Sequence, residues 1–292
     1  MTGSASAALV APAKINLFLH VGPVQADGYH PLASLAVFAD VGDRLTATVS
    51  DRLSLGVQGP FGGELAGQDD NLVLRALEAL GRATGQGAPP LALTLDKQLP
   101  IAAGLGGGSS DAGAALRLAR DLLRLNIDDA ALAEIAARTG ADGALCLFPR
   151  AAWAEGRGER LTPEPRLPPL HAVLVNPGVL SPTGAVYRAY DADPAGEADR
   201  PAPPADWSAA AVIDWLVKAR NDLEAPALRL APAIGAALDA AAACPGVALA
   251  RMSGSGATVI GLCADAAAAR DAASALAAAH PGWWVRACVL NG

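Results

Sequence analysis

The sequence predicts an α+β protein of two domains, and three observations point that way. Its 292 residues are 52% hydrophobic, enough to bury one large core or two smaller ones. Extended apolar segments dominate from residue 8 to about 58, whereas the second half follows a split βαββαβ order with an insert. Pro-rich LTPEPRLPPL, at 161 to 170, marks the boundary, which divides the chain into domains at 1–165 and 166–292.

Taken in order, ALVAPAKINLFLHV, LASLAVFAD and DRLTATVSDRLSLGV read as strands, separated by the turn-forming ADGYHP and VGD. DDNLVLRALEALGRATG reads as a helix opened by Asp70 and Asn71 and closed near Gly81 or Gly85. LALTLDKQLP is a strand, SSDAGAALRLARDLLRL and DDAALAEIAARTG are well-capped helices, and ALCLF with AAWAEG looks like a short strand pair. Beyond the boundary come strand HAVLVNPG, helices from 208 to 243, strands VALARMSG and ATVIGLCA, helix DAAAARDAASALAAAH and strand WWVRACVL. Acidic, Pro-rich DADPAGEADRPAPPADW interrupts them and is expected to be a mobile surface loop.

A net charge of −7 without a basic run argues against a nucleic acid or membrane surface held by charge, so an anionic ligand must be bound locally. No apolar run approaches a membrane span and no basic segment opens the chain, so a cytoplasmic location is expected. Cys146, Cys244, Cys263 and Cys288 form no CxxC pair and have no His at ligand spacing. Buried free thiols are expected, with neither a disulfide framework nor a metal site.

Four strings carry chemistry. In LPIAAGLGGGSSDAGAAL, residues 99 to 116, Gly104, Gly106, Gly107 and Gly108 precede a helix, where backbone N–H groups and the helix dipole suit a phosphate. Ser109 and Ser110 add hydroxyls, or one of them caps the helix. A P-loop would need Lys after the last glycine and a dinucleotide fingerprint a glycine at 109; neither is present. Lys14 and Asn16 share one strand face with Phe18, either to address a polar ligand or, for Lys14, to guard a sheet edge. Asp142 follows a helix that should stop at Gly140, as a functional carboxylate or a simple turn residue. In ARMSGSGATVIGL, Gly254 and Ser255 sit in a tight connection that a hairpin turn explains equally well.

Together these strings resemble the kinase superfamily named for galactokinase, homoserine kinase, mevalonate kinase and phosphomevalonate kinase (GHMP). PAKINLFLHV is similar to its first motif, LPIAAGLGGGSSDAGA to its phosphate loop and ARMSGSGATVIGL to its third motif. ADGYH at 26 to 30, DNLVLRAL at 70 to 77, TGAD at 139 to 142 and WAEGRGERL at 153 to 161 point to the branch acting on 4-diphosphocytidyl-2-C-methyl-D-erythritol, and the likeness runs from about residue 8 to the C-terminus.

The resemblance implies a two-domain GHMP kinase fold, with an N-terminal domain like ribosomal protein S5 domain 2 and a C-terminal ferredoxin-like split βαββαβ domain. It implies ATP and the acceptor in a cleft between them, with Mg2+ bound to the nucleotide, and a monomer or weak homodimer. Asp142 would take the acceptor hydroxyl's proton, Lys14 would orient that hydroxyl, and Asn16 would help hold the acceptor. Pro100, Ile101, Ala102, Ala103, Gly104, Leu105, Gly106, Gly107, Gly108, Ser109 and Ser110 would hold the phosphates of ATP, with Asn71 and Lys97 lining an adenine pocket. Tyr29, His30 and Tyr187 would recognise cytosine, while Thr183, Gly254 and Ser255 border the acceptor. One departure stands out: where the family continues the aspartate with Val-Pro, this chain has Gly143 and Ala144, which predicts a looser catalytic loop. A sister kinase of the superfamily and a non-catalytic nucleotide-binding relative are the alternatives.

Overall fold

The computed structural model describes residues 5–65 and 71–292; Asp70, expected to help open the first helix, lies outside them. The chain forms two compact units, one from the residues up to Ala13 with Gly42–Ile101 and Gly106–Pro149, the other from Lys14–Val41, Ala102–Leu105 and Arg150–Gly292. Strands β1 (Ser6–Val21) and β2 (Leu32–Val49) each contribute to both, so the division is not one cut in the chain.

In the first unit, β4 (Leu91–Asp96) pairs antiparallel with β2, setting Leu45 opposite Leu95, and parallel with β3 (Ser54–Gln58), setting Leu55 opposite Leu93. Helix α1 (Leu72–Thr84) starts where Asn71 Oδ1 accepts the Val73 N–H at 2.9 Å and ends on Gly85, which takes the left-handed conformation that terminates helices. Helices α2 (Gly107–Leu123) and α3 (Asp129–Thr139) complete the layer, and Leu77, Leu80, Leu95, Leu116 and Leu132 form its core. ALCLF does not pair as a strand: Gly143–Leu147 is a short helix, α4, because Asp142 O accepts the Cys146 N–H at 2.9 Å. A short apolar run fits a buried helix as well as a strand, and periodicity cannot separate them.

In the second unit, β5 (Ala152–Gly156) pairs with β2 and with β6 (Arg160–Pro163), so AAWAEG finds its partner downstream. Strand β7 (Leu170–Asn176) is followed by α5 (Thr183–Tyr190), α6 (Ala209–Val217), α7 (Glu224–Leu230) and α8 (Ala233–Ala242). Then come β8 (Val247–Met252), β9 (Val259–Cys263), α9 (Ala266–Ala279) and β10 (Trp284–Leu290). The sheet order β10-β7-β9-β8, antiparallel throughout, is the ferredoxin-like arrangement. Its core gathers Val173, Val175, Leu223, Ile234, Met252, Val259 and Leu276.

The acidic excursion carries no regular structure but is fastened along its length. Ala195 N–H donates to Tyr190 Oη at 3.2 Å, Trp215 Nε1–H to Ala202 O at 2.8 Å, and the Arg200 guanidinium lies 4.0 Å from the Trp153 ring centroid. Of the thiols, Cys146, Cys263 and Cys288 are buried as expected, whereas Cys244 is half-buried. No helix among the described residues is long and apolar enough to cross a membrane.

Arg251, on β8, is buried and donates to Leu17 O at 2.9 Å, Leu216 O at 2.9 Å and Ala219 O at 2.6 Å. Burial lowers its pKa, partly offset by Glu224. Replacing it with Met would strand carbonyls in the interior, each costing about 1–3 kcal/mol. Arg251→Met is therefore expected to lower the melting temperature measured by circular dichroism.

Candidate active site

The first unit carries the glycine loop and the helix that it opens. Helix α2 begins at Gly107, two residues before its sequence reading, because Gly106 takes φ 60° and acts as an N-cap without a side-chain bond. Neither serine caps the helix. The first-turn N–H groups and the positive end of the dipole therefore face outward with no side chain of their own to satisfy them. Ser110 is buried with Oγ unpartnered, and so is Asp111 Oδ1. Pro100 and Ile101 are half-buried, and Ala102 is exposed.

Beneath this turn lies a buried charge triad that motif reading missed. Lys97 Nζ donates to Asp43 Oδ2 at 2.5 Å and to Asp111 Oδ2 at 2.7 Å. Asp43 Oδ1 accepts the N–H groups of Gln98 at 2.6 Å and Leu99 at 2.8 Å, which fixes the exit of β4. Burial pushes Asp111 up to about 7, and the nearby negative charge of Asp43 adds to this, against the pull of Lys97. Burial pulls Lys97 down, but its two carboxylates outweigh this and its pKa rises. Asn71, the other residue assigned to adenine, spends its side-chain oxygen on the cap of α1.

The TGAD segment meets the same turn: a Cβ on Gly140 would lie 3.1 Å from Ser109 Oγ. Asp142 follows two residues later as the N-cap residue of α4, half-buried, with no side-chain cap bond. Gly143 is needed for close approach, since a Cβ there would lie 1.9 Å from Ala136 O. The residue that departs from Val-Pro thus lets α3 and α4 pack backbone to backbone, a steric role that the expectation of a looser loop did not include.

In the second unit, Lys14 and Asn16 lie on the buried C-terminal part of β1, whose strand partner is β2 and whose other side is covered where the Lys14 N–H meets Leu105 O, so Lys14 is not an exposed edge guard. Lys14 Nζ donates to Asn16 Oδ1 at 2.8 Å, Asn16 Nδ2 to Ser34 Oγ at 2.7 Å, and Ser34 Oγ to Phe18 O at 2.6 Å. This relay fixes the amide, and the amide fixes the ammonium. The GSG turn packs against it: Asn16 N–H donates to Ser253 Oγ at 3.2 Å, and a Cβ on Gly254 would come within 3.3 Å of Asn16 Oδ1. Residues 102–105 join the same assembly. Ala103 O accepts the Thr258 N–H at 3.1 Å, Leu105 O accepts the Lys14 N–H at 2.8 Å, and Gly104, at φ 73°, leaves no room for a Cβ beside Ser253 O. Thr183 Oγ1 and Ser255 Oγ are hydrogen-bonded at 2.9 Å. Ser34, Ser253 and Asn221, whose Nδ2 donates to Met252 O and Gly254 O at 2.8 Å each, were not singled out from the sequence.

Of the aromatic set, His30 and Tyr187 come together with ring centroids 4.9 Å apart. His30 Nδ1 bonds Gly22 O at 2.9 Å and Nε2 lies 3.2 Å from Asp191 Oδ1, so its ring is held from both ends. Tyr29 is 56% exposed, and its ring faces the Arg157 guanidinium at 4.3 Å; Arg157 also pairs with Asp27.

Two expectations follow. Gly143→Val should overpack the α3–α4 contact at a cost of about 1–3 kcal/mol, read as a lower melting temperature. Asp111 has a folded-state pKa above its unfolded value, so its contribution to stability is present below about pH 4 and is lost as pH rises through about 7. Asp111→Asn lacks that loss, and its melting temperature relative to the parent should rise from pH 5 to pH 8.

Comparison with known proteins agrees with this geometry. Residues 71–149 match the GHMP kinases N terminal domain and residues 210–282 the GHMP kinases C terminal domain. A 4-diphosphocytidyl-2-C-methyl-D-erythritol kinase of Caulobacter vibrioides is 56% identical over 96% of this chain and 98% of its own length. That of Methylobacterium radiotolerans is 52% identical over 96% of this chain and 98% of its own. A crystal structure of 4-(cytidine 5'-diphospho)-2C-methyl-D-erythritol kinase superposes with a TM-score of 0.77 at 37% identity, covering 98% of this chain and 100% of that one. A homoserine kinase from Cytophaga hutchinsonii, at 18% identity and a TM-score of 0.69, shares the fold. With its glycine-opened helix, its buried Lys14–Asn16 relay and these relatives, the chain belongs to the GHMP kinases and, within them, to the 4-diphosphocytidyl-2-C-methyl-D-erythritol kinase family.

Proposed function

We propose that this chain transfers the γ-phosphoryl group of ATP to the 2-hydroxyl of 4-diphosphocytidyl-2-C-methyl-D-erythritol, giving the 2-phosphate and ADP, in the non-mevalonate route to isoprenoid precursors. The observation that carries this reading is the 56% identity, over nearly the whole chain, to a relative of that name. The donor set supports it: outward N–H groups at a glycine-opened helix, with the buried Ser110 hydroxyl unpartnered beside them, suit a chain of phosphates. In this reading Mg2+ arrives on the nucleotide and offsets phosphate charge.

Phosphoryl transfer asks a protein mainly for position and charge stabilisation. Asp142 receives the proton of the attacking 2-hydroxyl as the new P–O bond forms and the bond to the leaving ADP oxygen breaks. Lys14, with its ammonium oriented by Asn16, holds that hydroxyl and offsets the negative charge developing on it. The first turn of α2 and Ser109 and Ser110 hold the phosphates in line. Tyr29 and Tyr187 supply stacking faces for cytosine and His30 addresses its polar edge, while Thr183, Gly254 and Ser255 border the polyol.

A general base contributes about 10²–10⁴-fold. Asp142→Asn is expected to lose activity in that range with ATP affinity retained, and Lys14→Ala to lose a comparable factor. The test of substrate is ADP release from Mg-ATP with the cytidylated acceptor, the same polyol lacking cytidine, mevalonate and homoserine. Turnover with the cytidylated acceptor alone supports the proposal; turnover that ignores the cytidine would assign a sister kinase instead.

A further inference from the structure

Lys97 is one of only three lysines in the chain, and its ammonium is wholly committed inside the first unit. It is 3% exposed, sits between Asp43 and Asp111 at 2.5 and 2.7 Å, and lies 3.1 Å from where a Cβ on Gly107 would stand. The geometry points to Lys97 as the countercharge of the phosphate loop: a positioning residue that neutralises two carboxylates under the anion-binding turn and so allows a polyphosphate to be held there. This rests on the proposed use of that turn for ATP.

The charge inventory motivates the idea. A site for a highly charged anion would ordinarily exclude carboxylates, yet Asp111 occupies the fifth position of α2, next to Ser110. Both it and Asp43 are buried, so neither charge is screened by water. The charged groups acting on Asp111 are Lys97, from the exit of β4, and Asp43, from β2. Without the ammonium, Asp43 would lie beneath the turn with no countercharge, and any ionised fraction of Asp111, whose carboxyl burial already pushes up to about 7, would add to its negative charge. With it, the triad carries at most one net negative charge, and Asp43 remains fixed to the N–H groups of Gln98 and Leu99. Asp111 Oδ1 has no hydrogen-bond partner, so this carboxylate is held chiefly through Lys97. The gap under Gly107 matters as well, because any side chain there would press on Lys97.

A direct contact between Lys97 and the nucleotide predicts a different pattern from a countercharge, and a mutant cycle separates the two. ATP affinity is measured by isothermal titration calorimetry on the full chain, for Lys97→Met, Asp111→Asn and the double variant, with melting temperatures recorded in parallel. A countercharge predicts that Lys97→Met weakens ATP binding by at least about tenfold. Asp111→Asn should bind ATP as tightly as the parent or more tightly, and the double variant should recover most of the loss. If Lys97→Met weakens binding and the double variant stays equally weak, Lys97 acts on the nucleotide directly and the proposal is overturned. Unchanged ATP affinity in Lys97→Met, whatever its melting temperature, would reduce the triad to a structural role and also overturn it. Should Lys97→Met fail to fold, Asp111→Asn decides alone: a loss of more than about threefold contradicts a countercharge, and retained or tighter binding agrees with it. Failure of the parent chain to bind ATP at all would instead remove the reading of the turn on which the proposal stands.

Discussion

Close approach of one backbone to another, at positions where a side chain cannot fit, is the constraint on which both units depend. Gly104 is pressed against the Ser253 carbonyl, and Gly143 against the Ala136 carbonyl. Each contact would be lost with a single Cβ. Interiors pack as densely as organic crystals, so a missing methyl group at such points is a structural feature in its own right. These glycines let the 102–105 segment reach the GSG turn and let α4 pack on α3.

The second theme is that each unit places its charged groups through neutral or oppositely charged intermediaries. Lys14 is set by Asn16, Asn16 by Ser34, and Ser34 by the Phe18 carbonyl, a buried relay that crosses from β1 to β2 and back. Lys97 is set by two carboxylates, one of which also closes the turn after β4. A buried charge is tolerable only when paired and hydrogen-bonded, and a chain of such bonds leaves each member few alternative orientations. Pre-orientation of this kind suits phosphoryl transfer, in which the protein contributes position and electrostatics more than covalent chemistry.

Much of the candidate site was legible in the sequence. The glycine loop, Lys14 with Asn16, Asp142 and the GSG turn were recognisable because the chemistry needs particular residue types in short local strings, and the βαββαβ order was recognisable because apolar periodicity reports it directly. What escaped was non-local. Asp43 and Lys97 are 54 residues apart and Asn16 and Ser253 are 237 apart, so no window of sequence contains either pair. Lys97 illustrates the consequence: its position suggested an adenine contact, yet its ammonium is given to Asp43 and Asp111. ALCLF illustrates another, since a four- or five-residue apolar run has no period long enough to distinguish strand from helix.

The sequence by itself determined which segments bury apolar faces, where glycine relieves the backbone and which family of folds can follow, because those depend on local sterics and on the spacing of apolar residues. Tertiary structure alone decided what each polar side chain faces. It turned Lys14 from a possible edge guard into a buried, oriented ammonium, made Gly143 a packing residue, and tied down the acidic excursion through Tyr190, Trp153 and Trp215. The physical reason is that hydrogen bonds and ion pairs act over a few ångströms, and only the folded chain brings distant residues that close.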